Sequence, residues 1–313
     1  MLPNFLCIGA QKCATTSLWH LLDAHPDICM ARPRETRFFS EPQRFADGLA
    51  AYEVRHFGHW DGERAAGEKC PEYLYQPEVP RRLRDALGPD LKFLICLRSP
   101  AQRAYSQYRH NLFQLRESRS FEEALAAEAG AGRTVPSPFG YIGRGRYAGQ
   151  LERYFDLFGA ERCHLIAFEA MVEDQAAAAD RAFAFLGVGP GPRPGSRVHA
   201  GHPPLERMRI RLQGSGETAV VTLAQGAPAG GWRARMRRML GRPASPAGIV
   251  RVRRPSASLQ DLARRLETAQ PLPTALSGSE ERRINRLHFA DDLARLAPML
   301  PFGIAAWLEG AGE

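Results

Sequence analysis

GAQKCATTSLWHLL, residues Gly9 to Leu22, sets a glycine, a lysine and three consecutive hydroxyl residues between an apolar run and an amphipathic one. The run before it, NFLCI, reads as a buried parallel strand, and Thr15 to Leu22 reads as a helix. A strand that delivers a loop to a helix start turns bare N–H groups and the positive end of the helix dipole toward an anion. In the common nucleotide loop, G-x-x-x-x-G-K-[ST], lysine directly precedes the hydroxyl residue. Here Cys13 and Ala14 separate Lys12 from Thr15. The loop is therefore expected to cradle a phosphate-like group, with its lysine set back toward the strand.

Working outward, KFLICLR (Lys92–Arg98) reads as a second buried strand, and Pro100 is placed to start the helix AQRAYSQYRHNLFQL. CHLIAFE (Cys163–Glu169) reads as a third strand, followed by a helical stretch to Leu186. This alternation predicts an α/β, P-loop-like three-layer fold: a central parallel sheet flanked by helices, with a helical, arginine-rich C-terminal section. The 313 residues are read as one domain. Within it, 1–190 forms the α/β core, 191–257 is a loop-rich basic segment whose weak patterning admits mobility, and 258–313 supplies C-terminal helices packing on the core.

Charge is unevenly distributed. The chain carries +8 in all, yet between Arg207 and Arg254 eleven arginines face one acid, Glu217. That segment holds +10, which leaves −2 for the remainder. Only three of the 42 basic residues are lysines, namely Lys12, Lys69 and Lys92, and a compact, mobile ammonium differs in use from a guanidinium fork. The six cysteines show no C-x-x-C spacing and read as buried free thiols. His199-x-x-His202 lacks a third metal ligand nearby, so no metal site is expected. No apolar run is long enough to span a bilayer, and the N-terminus has no basic leader, which together predict a cytoplasmic protein. Residues 232–242, WRARMRRMLGR, form a basic amphipathic pattern suited to covering its own domain or touching a membrane surface.

Gly9-x-x-Lys12-x-x-Thr15-Thr16-Ser17-Leu18 resembles the 5′-phosphosulfate loop of sulfotransferases that use 3′-phosphoadenosine 5′-phosphosulfate (PAPS). Arg98-Ser99-Pro100-x-x-Arg103-x-x-Ser106-x-Tyr108 resembles their 3′-phosphate motif. EKCPEYLYQPEVPRRL (Glu68–Leu83) is similar to the E-K-[ST]-P-x-Y segment of the heparan-sulfate and carbohydrate branch, and ETRFF (Glu35–Phe39) to its E-x-H-F-F. FADDLARLAPMLPFGIAAW (Phe289–Trp307) is similar to the terminal helix of bacterial members. The resemblance implies a PAPS-dependent enzyme that passes a sulfuryl group in line to a hydroxyl, or less readily an amine, and releases 3′,5′-bisphosphate (PAP) without a metal. It nominates Gly9, Lys12, Cys13, Ala14, Thr15, Thr16 and Ser17 for the 5′ group, Arg98 and Ser106 for the 3′-phosphate, and Lys12, Glu35 and Lys69 as catalytic. Three departures stand out: Ala14 for a common glycine, Arg37 for the histidine of E-x-H-F-F, and Cys70 for a hydroxyl residue.

The chemistry is consistent with that implication. Phosphoryl transfer from ATP concentrates charge and recruits Mg²⁺, whereas a sulfuryl group carries less charge and one lysine with backbone donors meets the leaving oxygen. An acceptor hydroxyl must lose a proton, and a carboxylate or histidine can take it; His20 and His25 are lesser candidates beside Glu35. Arg32, Arg34 and Arg37 are expected to hold Glu35 ionised. The acceptor class stays open among small molecules, carbohydrates and lipids, with no nucleic-acid partner expected. Two other functions compete: an Mg-dependent P-loop kinase using Thr16 and Glu169, and a nucleic-acid or anionic-surface binder using the arginine segment.

Overall fold

A computed structural model describes residues 1–114, 116–131, 140–192, 208–213, 218–223, 249–253, 260, 263 and 273–308. In chain order the elements are β1 (Phe5–Gly9), α1 (Thr15–Asp23), β2 (Ile28–Met30), α2 (Pro42–Ala46), α3 (Gly48–Phe57), β3 (Ala65–Lys69), α4 (Val79–Leu87), β4 (Lys92–Leu97) and α5 (Pro100–Phe113). There follow α6 (Phe121–Gly130), α7 (Ala148–Phe158), β5 (Cys163–Ala167), α8 (Phe168–Glu173), α9 (Gln175–Leu186), β6 (Met208–Gln213), β7 (Thr218–Leu223), β8 (Ile249–Arg253), α10 (Gly278–Leu296) and α11 (Ala305–Leu308). The residues group into two compact units, one of 1–104, 133–200 and 278–313, the other of 105–132 and 201–277.

The first unit holds a five-stranded, all-parallel sheet in the order β2-β3-β1-β4-β5. Every residue of β1 is buried, as are Phe93 to Leu97 of β4, so the near-continuous apolar runs reflect strands covered on both faces. Each such Leu, Ile or Phe contributes roughly 1.5–3 kcal/mol by leaving water. The third strand ends at Ala167, and Glu169 falls in the first turn of α8 instead of extending the strand. Strands β2 and β3 escape the sequence pattern. β3 reads AAGEK, yet all five residues are buried. Its Gly67 lies opposite Phe5, whose ring occupies the space of a Cβ, with a closest approach of 2.0 Å. From β1 the chain runs first to β2 and β3 on one side and then to β4 and β5 on the other. The carboxyl ends of β1, β3 and β4 thus surround a topological switch point, where open α/β sheets bind ligands.

Helix α10 braces this end. Asn285 accepts a hydrogen bond from the Ala101 N–H at the start of α5 (3.0 Å) and donates to Ser99 Oγ (3.1 Å) and the Trp307 carbonyl (2.8 Å). Asp292 accepts from the Tyr147 and Ala148 N–H groups, capping α7. In the second unit, α6 opens on a capping box formed by Ser120 and Glu123. The strands β6, β7 and β8 pair as an antiparallel sheet inside the stretch that the sequence reads as loop-rich. Residues 232–242, His199 and His202 lie outside the described residues. Among the described residues no helix is long and apolar enough to cross a membrane.

Candidate active site

The loop after β1 is fixed from below. Ala10 N–H donates to the Cys96 carbonyl (2.7 Å) and Cys13 N–H to Ala10 (3.2 Å). A Cβ on Gly9 would lie 2.7 Å from the Leu74 side chain, so this glycine serves the packing of the segment after β3. Lys12 (φ 71°) and Ala14 (φ 62°) both take left-handed conformations. That alternation about Cys13 aims successive N–H groups at one side, as in anion-binding nests. Ala14 is therefore a strained residue where glycine would sit without cost. It caps α1 with no side-chain hydrogen bond, so the helix start presents its own N–H groups.

Cations crowd this loop without carboxylate partners. Among the described residues no acid oxygen lies within 4 Å of Lys12 or Arg98. Burial first, and then the nearby Arg103 and Arg98, push the Lys12 amine down to about 8. Arg98 is lowered too, chiefly by burial, and its guanidinium lies over the Phe168 ring at 4.3 Å. Arg103 is fully buried. One of its nitrogens donates to the Tyr141 and Gly140 carbonyls, while Nε and Nη1 have no partner. A buried cation so left is costly unless an anion completes it. Tyr147 ties the parts together, its hydroxyl donating to the Arg98 carbonyl (3.1 Å) and lying 3.8 Å from Cys13 Sγ. Cys13 is buried, Thr15 and Ser17 are buried, and Thr16 is half-buried.

Lys69, at the end of β3 and only 2% exposed, donates to a Glu35 carboxylate oxygen and to Thr16 Oγ1 (3.3 Å). One ammonium thus joins the segment after β2 to the first turn of α1. Burial raises the Glu35 carboxyl, but the Lys69 charge and hydrogen bond, with smaller help from Arg34 and Arg37, outweigh it and leave the acid below its usual range. The arrangement can hold an anion on the loop and keep an ionised carboxylate beside it.

The family described as the sulfotransferase domain matches residues 2–197, well over half of the chain. This chain belongs to that family. Human heparan sulfate glucosamine 3-O-sulfotransferase 6 is 32% identical over 186 residues, covering 59% of this chain and 52% of that protein. Human heparan sulfate glucosamine 3-O-sulfotransferase 3B1 is 30% identical over 187 residues, covering 60% and 46%. The chain spans about half the length of the curated relatives it matches. A crystal structure of a sulfotransferase from Alicyclobacillus acidocaldarius superposes with a TM-score of 0.57 at 36% identity, covering 64% of this chain and 87% of that one.

Within this sulfotransferase domain the three nominated lysine and glutamate positions fall at adjacent strand ends, with Lys69 and Glu35 in direct contact. The main influence lowering Glu35 is Lys69, not its neighbouring arginines, since Arg32 instead pairs with Asp23 at 2.6 Å. His25 spends both ring nitrogens, on the Gly189 carbonyl and the Asp27 N–H, which removes it as a base. Ser106 lies half-buried on α5, eight residues from Arg98. All six cysteines are free. Among the described residues no cluster of three or more His, Cys, Asp or Glu is placed to hold a metal ion. The sequence nominates none of Arg103, Tyr147 and Phe168 as site residues, although Arg103 lies inside the Arg98–Tyr108 motif and Phe168 inside the Cys163–Glu169 stretch read as a strand.

Two outcomes are expected from this geometry. Phe168→Leu removes the face on which Arg98 lies, at a cost of roughly 0.5–1 kcal/mol, and PAP affinity measured by calorimetry falls about two- to fivefold. The Lys12 amine loses its proton as pH rises through about 8. If the Lys12 ammonium serves the reaction, as the resemblance implies, the kcat/KM profile, which reports the free enzyme, is expected to decline above that pH and not near 10.5. Lys12→Arg keeps its charge and should carry no such limb.

Proposed function

We propose that the protein transfers the sulfuryl group of PAPS to a hydroxyl acceptor and releases PAP. The observation that carries this reading is the Lys69–Glu35–Thr16 cluster at the lip of an anion loop whose own cations, Lys12 and Arg98, have no acid partners among the described residues. PAPS, when bound, supplies the group transferred. The N–H groups of residues 13–17 and the Lys12 ammonium would meet the 5′ end, while Arg98 and Ser106 would hold the 3′-phosphate. The unpartnered Arg103 nitrogens add positive potential behind the loop, which suits an anionic ligand. Glu35 takes the proton as the acceptor oxygen bonds to sulfur, and Lys12 stabilises the charge that appears on the phosphate oxygen as its bond to sulfur breaks. Lys69 orients Glu35 and steadies the same region.

Carbohydrates come first among acceptors to be screened, a choice supported by the relatives named for heparan sulfate, with lipid and small-molecule alcohols after them. Calorimetric titration with PAP in EDTA, run against ATP with magnesium, tests the reading. Micromolar or tighter PAP binding with weak ATP binding is expected. The opposite preference would move the protein to phosphotransfer.

A further inference from the structure

Glu68 precedes Lys69 on β3 and is completely buried, yet among the described residues no lysine or arginine nitrogen lies within 4 Å of it. Its carboxylate accepts instead from three buried hydroxyls: Thr36 Oγ1 (2.6 Å), Tyr73 Oη (2.7 Å) and Tyr52 Oη. Two of these hydroxyls are themselves acceptors from the backbone, since Phe38 N–H donates to Thr36 Oγ1 (3.1 Å) and Phe39 N–H to Tyr73 Oη (3.2 Å). Each of these hydroxyls keeps a proton of its own, and Glu68 is a much nearer acceptor for it than the other hydroxyl, since Thr36 Oγ1 and Tyr73 Oη lie 3.4 Å apart. The chain of donors therefore runs one way, from backbone through hydroxyl to carboxylate, and each link polarises the next. Burial and the Glu68 charge hold both tyrosines well above the usual phenol range, so they remain donors.

The register of these contacts is informative. Glu68 and Lys69 are successive strand residues and so face opposite sides of the sheet. Glu35 and Thr36 are also successive. Lys69 grips Glu35 on one side, and Glu68 grips Thr36 on the other. The two-residue stretch Glu35-Thr36 is thus clasped twice by the two-residue stretch Glu68-Lys69. Burial raises the Glu68 carboxyl above its ordinary range, and the hydrogen bonds from Thr36, Tyr52 and Tyr73 only partly offset it; a buried carboxyl without a cation is expensive to keep in a strand interior, where an apolar residue would pack at lower cost.

We propose that Glu68 is a positioning residue whose hydroxyl clasp on Thr36 fixes the backbone that presents Glu35 to Lys69 and to the acceptor. The inference rests on the proposed role of Glu35, but its principal test does not depend on turnover. The groups facing Glu35 are Lys69 from β3, Arg34 and Arg37 from its own segment, Cys7 from β1 and Cys70 after β3; those facing Glu68 are Tyr52, Tyr73, Thr36 and Cys70. Loosening the clasp should slacken the Glu35–Lys69 pair and let the Glu35 carboxyl drift back toward its ordinary value.

The experiment is carbon-13 titration of glutamate side-chain carboxyls in the full chain, with the Glu35 signal assigned by its loss in Glu35→Gln. Thr36→Val keeps the shape and removes one hydroxyl; Glu68→Gln keeps the size and removes the charge. In both, the Glu35 midpoint should rise by about one pH unit, with PAP affinity unchanged and PAPS-dependent release of PAP down at least about tenfold. Thr36→Val decides the matter if Glu68→Gln does not fold. A folded Thr36→Val protein with a lowered Tm but an unmoved Glu35 midpoint would show the network to be merely structural and overturn the proposal. Failure of the wild-type protein to bind PAP, with the midpoint shift intact, would instead remove the sulfotransfer reading and leave the clasp standing.

Discussion

Lys12→Ala should lower turnover by about two to three orders of magnitude while PAP affinity changes by less than about fivefold, the pattern seen when one donor to a developing oxyanion is removed. The split follows from where Lys12 sits. It lies on a left-handed loop residue with no acid partner among the described residues, at a position that two buried or half-buried arginines already make electropositive. On the proposed function, ground-state binding of PAP would rest on the α1 start and Arg98. Charge appearing on the phosphate oxygen during transfer has no comparable substitute. Unchanged turnover in this variant would remove Lys12 from the reaction, and an equal loss of turnover and PAP affinity would make it an ordinary binding residue.

Glu35→Gln carries the second large effect. Loss of a general base costs about a hundredfold to ten-thousandfold in kcat, and PAP affinity should stay within about threefold, because Glu35 touches Lys69 and not the loop donors. The change also strips Lys69 of its only carboxylate partner among the described residues. Since Lys69 is 2% exposed, the variant should melt at a lower temperature, and part of that loss should return when PAP is added. Comparing Tm with and without PAP, alongside kcat per folded molecule, separates the two consequences. A Glu35→Gln protein with full activity would end the base assignment.

The parts of this molecule legible in sequence are those governed by local pattern. NFLCI and KFLICL announce buried strands because burial on both faces admits only apolar residues, and Pro100 starts α5 because its missing N–H costs nothing there. Strand β3 was hidden for the opposite reason. Gly67 is accounted for only by the ring of Phe5 across the register, and Glu68 only by hydroxyls drawn from α3, the segment after β2 and the turn after β3. The short β2 offers three residues, too few for any period to show. At the candidate site, motif spacing nominated Lys12, Lys69 and Glu35, two of which the structure brings into contact. It could not show that Lys69 itself is what keeps Glu35 ionised, nor that Phe168 and Tyr147 bracket Arg98, because those contacts join residues far apart in the chain.

The scarcity of lysine has a practical corollary for chemical modification. Acylating reagents attack unprotonated amines. Of the three lysines, Lys69 is sealed beneath Glu35, and Lys92 is engaged with the Phe185 carbonyl at 2.8 Å. Lys12 combines partial exposure with an amine pushed down to about 8. A limiting dose of an activated ester should therefore tag this side chain ahead of the other two lysines, and PAP should protect it, so that the mass shift of the peptide carrying Lys12, read apart from that of the N-terminal peptide, reports occupancy of the loop.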